Sequence, residues 1–180
     1  MRIIAGAAKG LPIRVPQGEV RPTQDRVREA LFNILGPTIQ GARVLDLYCG
    51  SGSVGIEALS RGAASARMVD AARSSCAMAR QNLERSRLTG GSVVQSDCLQ
   101  FVKRDAGSYD YIFADPPYAL KDLDSIPTRI FEQELLKEDG LLVLEHGKDN
   151  HFEDDSHFIE RRIYGSVNFS FFKAKVQTDE

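Results

Sequence analysis

Short apolar runs alternate with longer stretches in which apolar residues recur every three or four positions, from residue 43 to about residue 147. Runs of the first kind are typical of buried strands, and stretches of the second kind are typical of amphipathic helices. Because strands and helices alternate, we expect right-handed crossovers and a mostly parallel sheet covered by helices on both faces, which is a doubly wound α/β domain. The predicted strands are RVLDLY, SARMVD, GSVVQSD, YDYIFADPPY and GLLVLEHG, and the predicted helices are VGIEALSR, RSSCAMARQNLERS, CLQFVKR and one near TRIFEQELLK.

The two ends of the chain break this alternation. FIERRIYG and VNFSFFKAKV are separated only by a short Gly-Ser turn, so they are predicted to form an antiparallel hairpin at the edge of the sheet. Near the start, TQDRVREALFNIL has apolar residues at helical spacing and is followed by a Gly-Pro pair that ends the helix. No linker is evident, so we treat residues 1–42 as an arm and helix that are integral to the domain at 43–180.

The composition is that of one folded globular domain. The chain has 180 residues, of which 42% are apolar and 27% are charged, enough for one substantial core and too few for two domains of ordinary size. No apolar run approaches membrane-spanning length and the N-terminus lacks a secretory signal, so we expect a cytoplasmic protein with no membrane contact. The three cysteines form no C-x-x-C pair, which argues against a disulfide framework or a zinc site.

A glycine-rich loop follows the first predicted strand. Gly50-Ser-Gly-Ser-Val-Gly55 matches the dinucleotide fingerprint, and Gly50 and Gly52 would let the backbone approach a ligand closely. Asp46 stands four residues before the loop, where its carboxylate would oppose a pyrophosphate. The same carboxylate would attract the sulfonium and ammonium groups of S-adenosylmethionine. We therefore predict S-adenosylmethionine, and not a dinucleotide, as the cofactor.

Acidic residues also end the next two predicted strands. Since the carboxyl ends of parallel strands meet at one edge of a sheet, Asp70 is expected to accept hydrogen bonds from the ribose hydroxyls, and Asp97 from the adenine amine. An N-cap role in the following helix would explain Asp97 equally well. Tyr48 and Cys98 lie in the same loops and complete the predicted cofactor site.

The fourth predicted strand ends in Asp115-Pro116-Pro117-Tyr118. A carboxylate followed by a carbonyl held by two prolines offers two acceptors at a fixed separation, which suits the two hydrogens of a planar amine. Tyr118 supplies an aromatic face on which the attached ring can stack. Two prolines after a strand can also be a simple stop, but the upstream cofactor loop favours chemistry. Asp115, Pro116 and Tyr118 are therefore the predicted catalytic residues.

Positive charge is concentrated near the N-terminus. Residues 1–43 contain seven Lys or Arg and three acids, whereas the whole chain has a net charge of −2. A solvated charged face would explain this imbalance, but a basic arm would also suit a phosphate backbone. The predicted RNA-binding residues are Lys9, Arg14, Arg21, Arg26 and Arg28. Because Arg26 and Arg28 diverge by about 200° on a helix, one of the two is expected to anchor the arm to the sheet domain instead.

The histidines suggest no metal site. His146, His151 and His157 are interspersed with acids, but their spacing matches no helical pair and no common ligand loop. We therefore predict a solvated acidic turn and no metal ion.

The chemical motifs resemble those of known methyltransferases. D-P-P-Y is similar to the [D/N]-P-P-[Y/F/W] motif of enzymes that methylate exocyclic or amide nitrogens, and VLDLYCGSGSVG is similar to their cofactor loop. Over nearly the full length, RIIAG, RPTQDRVREALFNILG, GSGSVGIEALSRGA, ADPPY and YGSVNFSFF resemble the bacterial 16S ribosomal RNA guanine-(N-2) methyltransferases of type D. Two departures are Leu11, where a basic residue is usual, and Asp70-Ala71-Ala72, where E-x-D is usual, so Asp70 alone would hold the ribose.

This resemblance implies the class I, Rossmann-like methyltransferase fold and S-adenosylmethionine-dependent methylation of a guanine N2 amine in 16S rRNA. It also implies that the substrate is the small ribosomal subunit or an assembly intermediate, and we expect the enzyme to be a monomer. D-P-P-Y alone would equally suit an adenine-amine methyltransferase acting on DNA or another RNA. A non-catalytic nucleic-acid-binding module is a further alternative. With no extra target-recognition domain in the 180 residues, a structured RNA that presents its own shape is the favoured substrate.

Overall fold

The computed structural model describes residues 1–17 and 22–174. Its seven strands are β1 Arg43–Leu47, β2 Ser65–Asp70, β3 Gly91–Gln95, β4 Tyr109–Ala114, β5 Leu136–His146, β6 Phe158–Tyr164 and β7 Val167–Lys173. Its α-helices are α1 Pro22–Leu35, α2 Ser53–Ser60, α3 Arg73–Ser86, α4 Cys98–Arg104 and α5 Ile126–Glu132. Short 3-10 turns cover Gly36–Ile39 and Leu123–Ser125. None of the helices in these described ranges is both long and apolar enough to cross a membrane.

One sheet contains all seven strands in the order β3-β2-β1-β4-β5-β7-β6. Strands β1 to β5 pair in parallel, whereas β7 is antiparallel to β5 and β6 is antiparallel to β7. This arrangement confirms the predicted doubly wound sheet with a C-terminal antiparallel hairpin. The strand order reverses direction between β1 and β4, and ligands of open α/β sheets bind at such a point, beyond the carboxyl ends of the strands.

The predicted helix near TRIFEQELLK was partly wrong. Helix α5 ends at Glu132, and the chain turns through Glu134, whose φ is +52°, before Leu136 begins β5. Leu136 is paired with Tyr109, and a register shift follows before Tyr111 pairs with Leu141. An isolated pair of leucines fits helical and extended periods equally well, so pairing with β4 decided the outcome.

Both faces of the sheet are covered by apolar side chains. Leu45 and Leu47 of β1 face the layer of α4 and α5, and Val44 faces the layer that contains α1. The C-terminal hairpin contributes to both layers, because Phe172 packs in the first and Phe171 in the second, each almost fully buried. The hairpin is therefore part of the core and not an appendage.

Residues 1–17 fold back on themselves and pack against the sheet domain. The amide of Ile3 donates to the Leu11 carbonyl, at 2.9 Å, and the Ile13 amide donates to the Met1 carbonyl, also at 2.9 Å. Ile3 and Ile13 are buried in a cluster that includes Met68 of β2. The segment therefore has its own backbone pairing and a share of the core.

A buried carboxylate on α2 joins this segment to the domain. The fully buried Glu57 accepts hydrogen bonds from the amides of Ile4, at 2.9 Å, and Ala5, at 3.2 Å. Arg61 pairs with the same carboxylate at 2.9 Å, and Nε of Arg28 lies 3.9 Å away. Arg28 also donates to the Arg2 carbonyl. One carboxylate thus connects α2 with both α1 and the N-terminal segment.

We expect Glu57→Gln to lower the free energy of unfolding by about 3 kcal/mol, because it takes one of two opposite charges from the buried Arg28 and breaks the ion pair with Arg61. The change would be measured by urea denaturation. Glu29→Gln is the matched control, since Glu29 is exposed on α1, and it should change the free energy by less than about 0.5 kcal/mol. If Glu57→Gln and Glu29→Gln had equal free energies of unfolding, the charge of Glu57 would not be what holds residues 1–17 to the domain.

Candidate active site

The ends of β1, β2, β4 and β5 place four acidic side chains at one edge of the sheet. These are Asp46, Asp70, Asp115 and Glu145, and Asp97 follows β3 beside them. The amide of Asp115 donates to the Leu47 carbonyl at 3.4 Å, which ties the Asp-Pro-Pro-Tyr segment to the start of the glycine loop. The sheet therefore brings the two segments with the strongest chemical motifs into direct contact.

The glycine loop has a backbone that favours glycine. Gly50 and Gly52 have φ values of +53° and +80°, and Tyr48 shares this left-handed conformation with a φ of +59°. A Cβ atom added to Gly52 would lie 3.1 Å from Sδ of Met68 and 3.2 Å from Cβ of Ala79. Gly52 is also the N-cap residue of α2. A larger residue at this position would therefore push the loop away from the sheet.

Asp46 is a buried carboxylate under this loop. It is only 3% exposed, and its Oδ2 accepts a hydrogen bond from the Gly55 amide at 3.0 Å. Burial raises the pKa of Asp46 to about 7, the Gly55 N–H opposes this, and the nearby Asp70 adds to it. Because the negative charge is poorly solvated here, a cationic ligand at the loop would stabilise it.

Asp70 fastens the loop to β2. Its Oδ2 accepts from the Gly50 amide and its Oδ1 from the Ala72 amide, both at 2.9 Å. An ionised carboxylate can accept about four hydrogen bonds. Asp70 can therefore hold the loop and still receive two hydroxyl groups of a ligand.

Asp97 and Cys98, the predicted cofactor contacts after β3, have different structural roles. Asp97 caps α4 by accepting from the Gln100 amide at 2.9 Å, so the N-cap interpretation is confirmed, while its exposed side chain keeps further acceptor capacity. Cys98 is 2% exposed, and its Sγ accepts from the Tyr48 amide at 3.3 Å. Burial raises the pKa of the Cys98 thiol to about 12, so it is a neutral support for the Tyr48 loop. A cofactor contact at Cys98 remains a prediction.

The Asp-Pro-Pro-Tyr segment leaves the sheet directly after β4. Pro116 is buried, whereas Asp115 and Tyr118 have solvent-accessible surface, 47% of the residue in the case of Tyr118. The Tyr118 hydroxyl donates to Oε1 of Glu145 at 2.8 Å. The tyrosine is thus held by its hydroxyl, and much of its surface remains open to a planar ligand.

Glu145 was missed by the sequence analysis. It is the penultimate residue of β5, and the register pairs Ala114 with Leu144, so Asp115 and Glu145, which follow this pair, are neighbours. Protein atoms around the cleft raise the pKa of Asp115 well above its ordinary value, and the adjacent Glu145 charge and a hydrogen bond to Glu145 raise it further. Burial also raises the pKa of Glu145, against the hydrogen bond from Tyr118. Extending the rule of acids at strand ends to GLLVLEHG would have identified Glu145.

The basic residues predicted to contact RNA are not equivalent. Lys9, Arg14 and Arg26 are exposed, and Arg21 lies outside the described residues. The prediction was wrong for Arg28, which is 5% exposed because it is buried against Glu57 and Asp25. Arg28 therefore has the alternative role, that of anchoring the arm to the sheet domain.

A second residue missed by the sequence analysis connects the arm to the glycine loop. The side chain of the fully buried Asn82 accepts from the Arg14 amide at 3.0 Å and donates to the Arg14 carbonyl at 2.9 Å. The same amide group donates to the Ser51 carbonyl at 2.9 Å. Asn82 thus places exposed Arg14 next to the loop. No spacing pattern in the sequence marks an isolated asparagine on a helix.

The prediction of a solvated turn was wrong for His146, which is fully buried. Nε2 of His146 lies 2.7 Å from the Ser170 hydroxyl, and His157 stacks on Phe131 with ring centroids 3.9 Å apart. Within residues 1–17 and 22–174, no group of three or more His, Cys, Asp or Glu side chains could hold a metal ion.

Comparison with known proteins gives a consistent result. The family described as "Conserved hypothetical protein 95" matches residues 1–173. Ribosomal RNA small subunit methyltransferase D of Escherichia coli K12 is 34% identical over 151 residues, which cover 83% of this chain and 76% of that protein. The structure of yhhF from Escherichia coli, provisionally described as a methyltransferase, is similar with a TM-score of 0.86 and 31% identity, covering 97% of this chain and 99% of that one.

A more distant structure shares the fold. The 16S rRNA N2 methyltransferase RsmC of Thermus thermophilus, solved in complex with AdoMet and guanosine, has a TM-score of 0.72 and 20% identity. The match covers 89% of this chain and 45% of that one. At this identity the likeness shows the fold alone, and it confirms the predicted Rossmann-like class.

We expect Asp46 to make the ligand-free protein less stable as the pH rises. Its pKa is raised from 3.8 to about 7 in the folded state, so the folded protein holds the proton more tightly and loses stability between these two pH values. Relative to Asp46→Asn, the wild type should lose about 2–3 kcal/mol of unfolding free energy between pH 5 and pH 8 in urea titrations. The exposed Asp154→Asn variant should show the same pH dependence of the unfolding free energy as the wild type. If the unfolding free energies of the wild type and Asp46→Asn differed by the same amount at pH 5 and pH 8, the raised pKa of Asp46 would be contradicted.

Proposed function

The chain belongs to the family described as "Conserved hypothetical protein 95", and we propose that it is an S-adenosylmethionine-dependent methyltransferase that modifies a guanine N2 amine in 16S ribosomal RNA. The observation that carries this proposal is the contact between the Asp-Pro-Pro-Tyr segment and the glycine loop, at the point where Asp115 meets Leu47. A methyl donor in the loop and an amine at Asp115 would then be adjacent.

The residues of the loop suit a cationic cofactor. When bound, S-adenosylmethionine supplies an electrophilic methyl group on sulfur. The buried Asp46 carboxylate has few partners to solvate its charge, so it would favour a positively charged ligand over a pyrophosphate. Asp70 has acceptors left for a ribose, and the exposed Asp97 has acceptors left for an adenine amine.

The Asp-Pro-Pro-Tyr residues position the amine. The Asp115 carboxylate and the Pro116 carbonyl accept its two hydrogens, which favours a pyramidal nitrogen with its lone pair aimed at the methyl carbon. As the nitrogen–carbon bond forms and the carbon–sulfur bond breaks, positive charge develops on the nitrogen and Asp115 stabilises it. The departing amine proton goes to Asp115 and then to water. Tyr118 stacks on the base, which must be turned out of any helix to reach this site.

The relatives and the arm support a ribosomal RNA substrate. Methyltransferase D of Escherichia coli is named for the small-subunit ribosomal RNA. Exposed Lys9 and Arg14 lie on the segment that packs beside the glycine loop, where they can contact a phosphate backbone while a nearby base enters the site. We assign the small ribosomal subunit or an assembly intermediate as the partner, met in the cytoplasm by a monomeric enzyme.

We expect that deleting the gene removes one N2-methylguanosine from 16S rRNA, as mapped by mass spectrometry, and that the wild-type gene restores it. Asp115→Ala should not restore it, because the loss of a positioned polar group at the reacting nitrogen lowers the rate by more than about a hundredfold. Calorimetry should show S-adenosylmethionine binding close to wild type. The exposed Asp149→Ala variant is the control and should restore the modification. Loss of a methyladenine from DNA instead would support the rival function.

A second expectation concerns the arm. Lys9→Ala with Arg14→Ala should weaken RNA binding and reduce the slope of log K against log salt by about one to two, because each cation releases counterions from the backbone. Cofactor affinity should stay unchanged, since Asn82 contacts only the main chain of Arg14.

The matched control for the arm is Lys103→Ala with Arg104→Ala. Both residues are exposed in the last turn of α4, away from the strand ends that carry the site. Equal salt slopes for the two double variants would mean that the charge of the arm is only a solvated face.

A further inference from the structure

The pair formed by Asp115 and Glu145 is not accounted for by the binding of a single amine. The two acids follow the paired residues Ala114 and Leu144 of β4 and β5, so they stand side by side at the open edge of the sheet. Two adjacent carboxyl groups therefore face the place where the base must enter.

The hydrogen bond from Tyr118 distinguishes Glu145 from Asp115. The Tyr118 hydroxyl donates to Glu145 at 2.8 Å, and this contact favours the ionised form of Glu145. Burial raises the pKa of Asp115, and the adjacent Glu145 charge raises it further. Tyr118 thus occupies one oxygen of Glu145, and a carboxylate has further acceptor sites left for a ligand.

We propose that Glu145 recognises the base by accepting the N1–H of guanine, while Asp115 accepts a hydrogen of the adjacent amine. The proposal rests on the proposed function and deepens it, because it names the residue that selects guanine. On the Watson–Crick edge of guanine, N1–H and the N2 amine are two neighbouring donors, and two ionised carboxylates are two neighbouring acceptors.

Adenine lacks this match. Its amine is a donor, but its N1 is an acceptor and would face the Glu145 carboxylate without a hydrogen between them. A site built to pair with a donor rejects an analogue that lacks it, because the buried acceptor is left unpaired. Glu145 therefore opposes methylation of adenine even though Asp-Pro-Pro-Tyr by itself accommodates either amine.

The test uses RNA fragments that carry guanine or 2-aminopurine at the mapped target position. 2-Aminopurine retains the reacting amine and replaces N1–H with an acceptor. We expect the wild type to prefer guanine by about ten- to a hundredfold in kcat/KM. In Glu145→Gln, the side-chain amide N–H can donate to the N1 acceptor of 2-aminopurine. The ratio of kcat/KM for guanine to kcat/KM for 2-aminopurine should therefore fall below about threefold. Comparing ratios removes the difference in intrinsic reactivity between the two bases.

Two further variants sharpen the comparison. Glu138→Gln changes an exposed glutamate on the same strand, β5, and should keep the wild-type ratio. Tyr118→Phe removes the hydroxyl contact with Glu145 and should also keep most of the guanine preference, although its rate falls. If Tyr118→Phe reduced the ratio as strongly as Glu145→Gln, then Glu145 would act only by positioning the tyrosine, and direct recognition would be overturned.

Failure of this inference differs from failure of the proposed function. An unchanged guanine preference in folded Glu145→Gln, with N2-methylguanosine still formed, overturns only the role of Glu145. A wild-type enzyme that forms no N2-methylguanosine on small-subunit RNA overturns the function itself. Thermal unfolding of each variant confirms that the compared proteins are folded.

Discussion

Parallel pairing of β1 with both β2 and β4 is the constraint on which the site depends. Parallel strands end at the same edge of a sheet, so residues that are 69 positions apart in sequence, Asp46 and Asp115, meet there. The reversal of strand order between β1 and β4 opens a crevice at that edge. The glycine loop leaves β1 on one side of this crevice, and the Asp-Pro-Pro-Tyr segment leaves β4 on the other.

Concentrating acids at one edge has an electrostatic consequence. Asp46 is buried beneath the loop, and Asp115 and Glu145 stand together in the cleft, so the pKa of each is raised. The Asp46 charge is poorly solvated, and all three carboxyl groups gain from a partner that brings positive charge or N–H donors. The proposed cofactor and the proposed base supply these two kinds of partner. The electrostatics of the site and the chemistry of the proposed reaction thus favour the same ligands.

The N-terminal segment is connected to the same site through buried polar contacts. Glu57 holds the backbone of Ile4 and Ala5 to α2, the helix that begins at the glycine loop. Asn82 joins Arg14 to Ser51 inside that loop. Because the N-terminal segment and the glycine loop share these contacts, the position of the segment depends on the position of the loop. RNA contacts and cofactor contacts are therefore built on one framework.

Local pattern in the sequence determined the element types, the sheet class, the C-terminal hairpin and the contact between motif segments at strand ends, because periodicity and turn residues act over a few positions. It did not determine where α5 ends, since Leu136 fits a helix or a strand until Tyr109 pairs with it. Only the tertiary structure decided that Arg28 is buried and that Glu145 stands beside Asp115. Burial and long-range pairing depend on which elements pack together, and no short stretch of sequence contains that information.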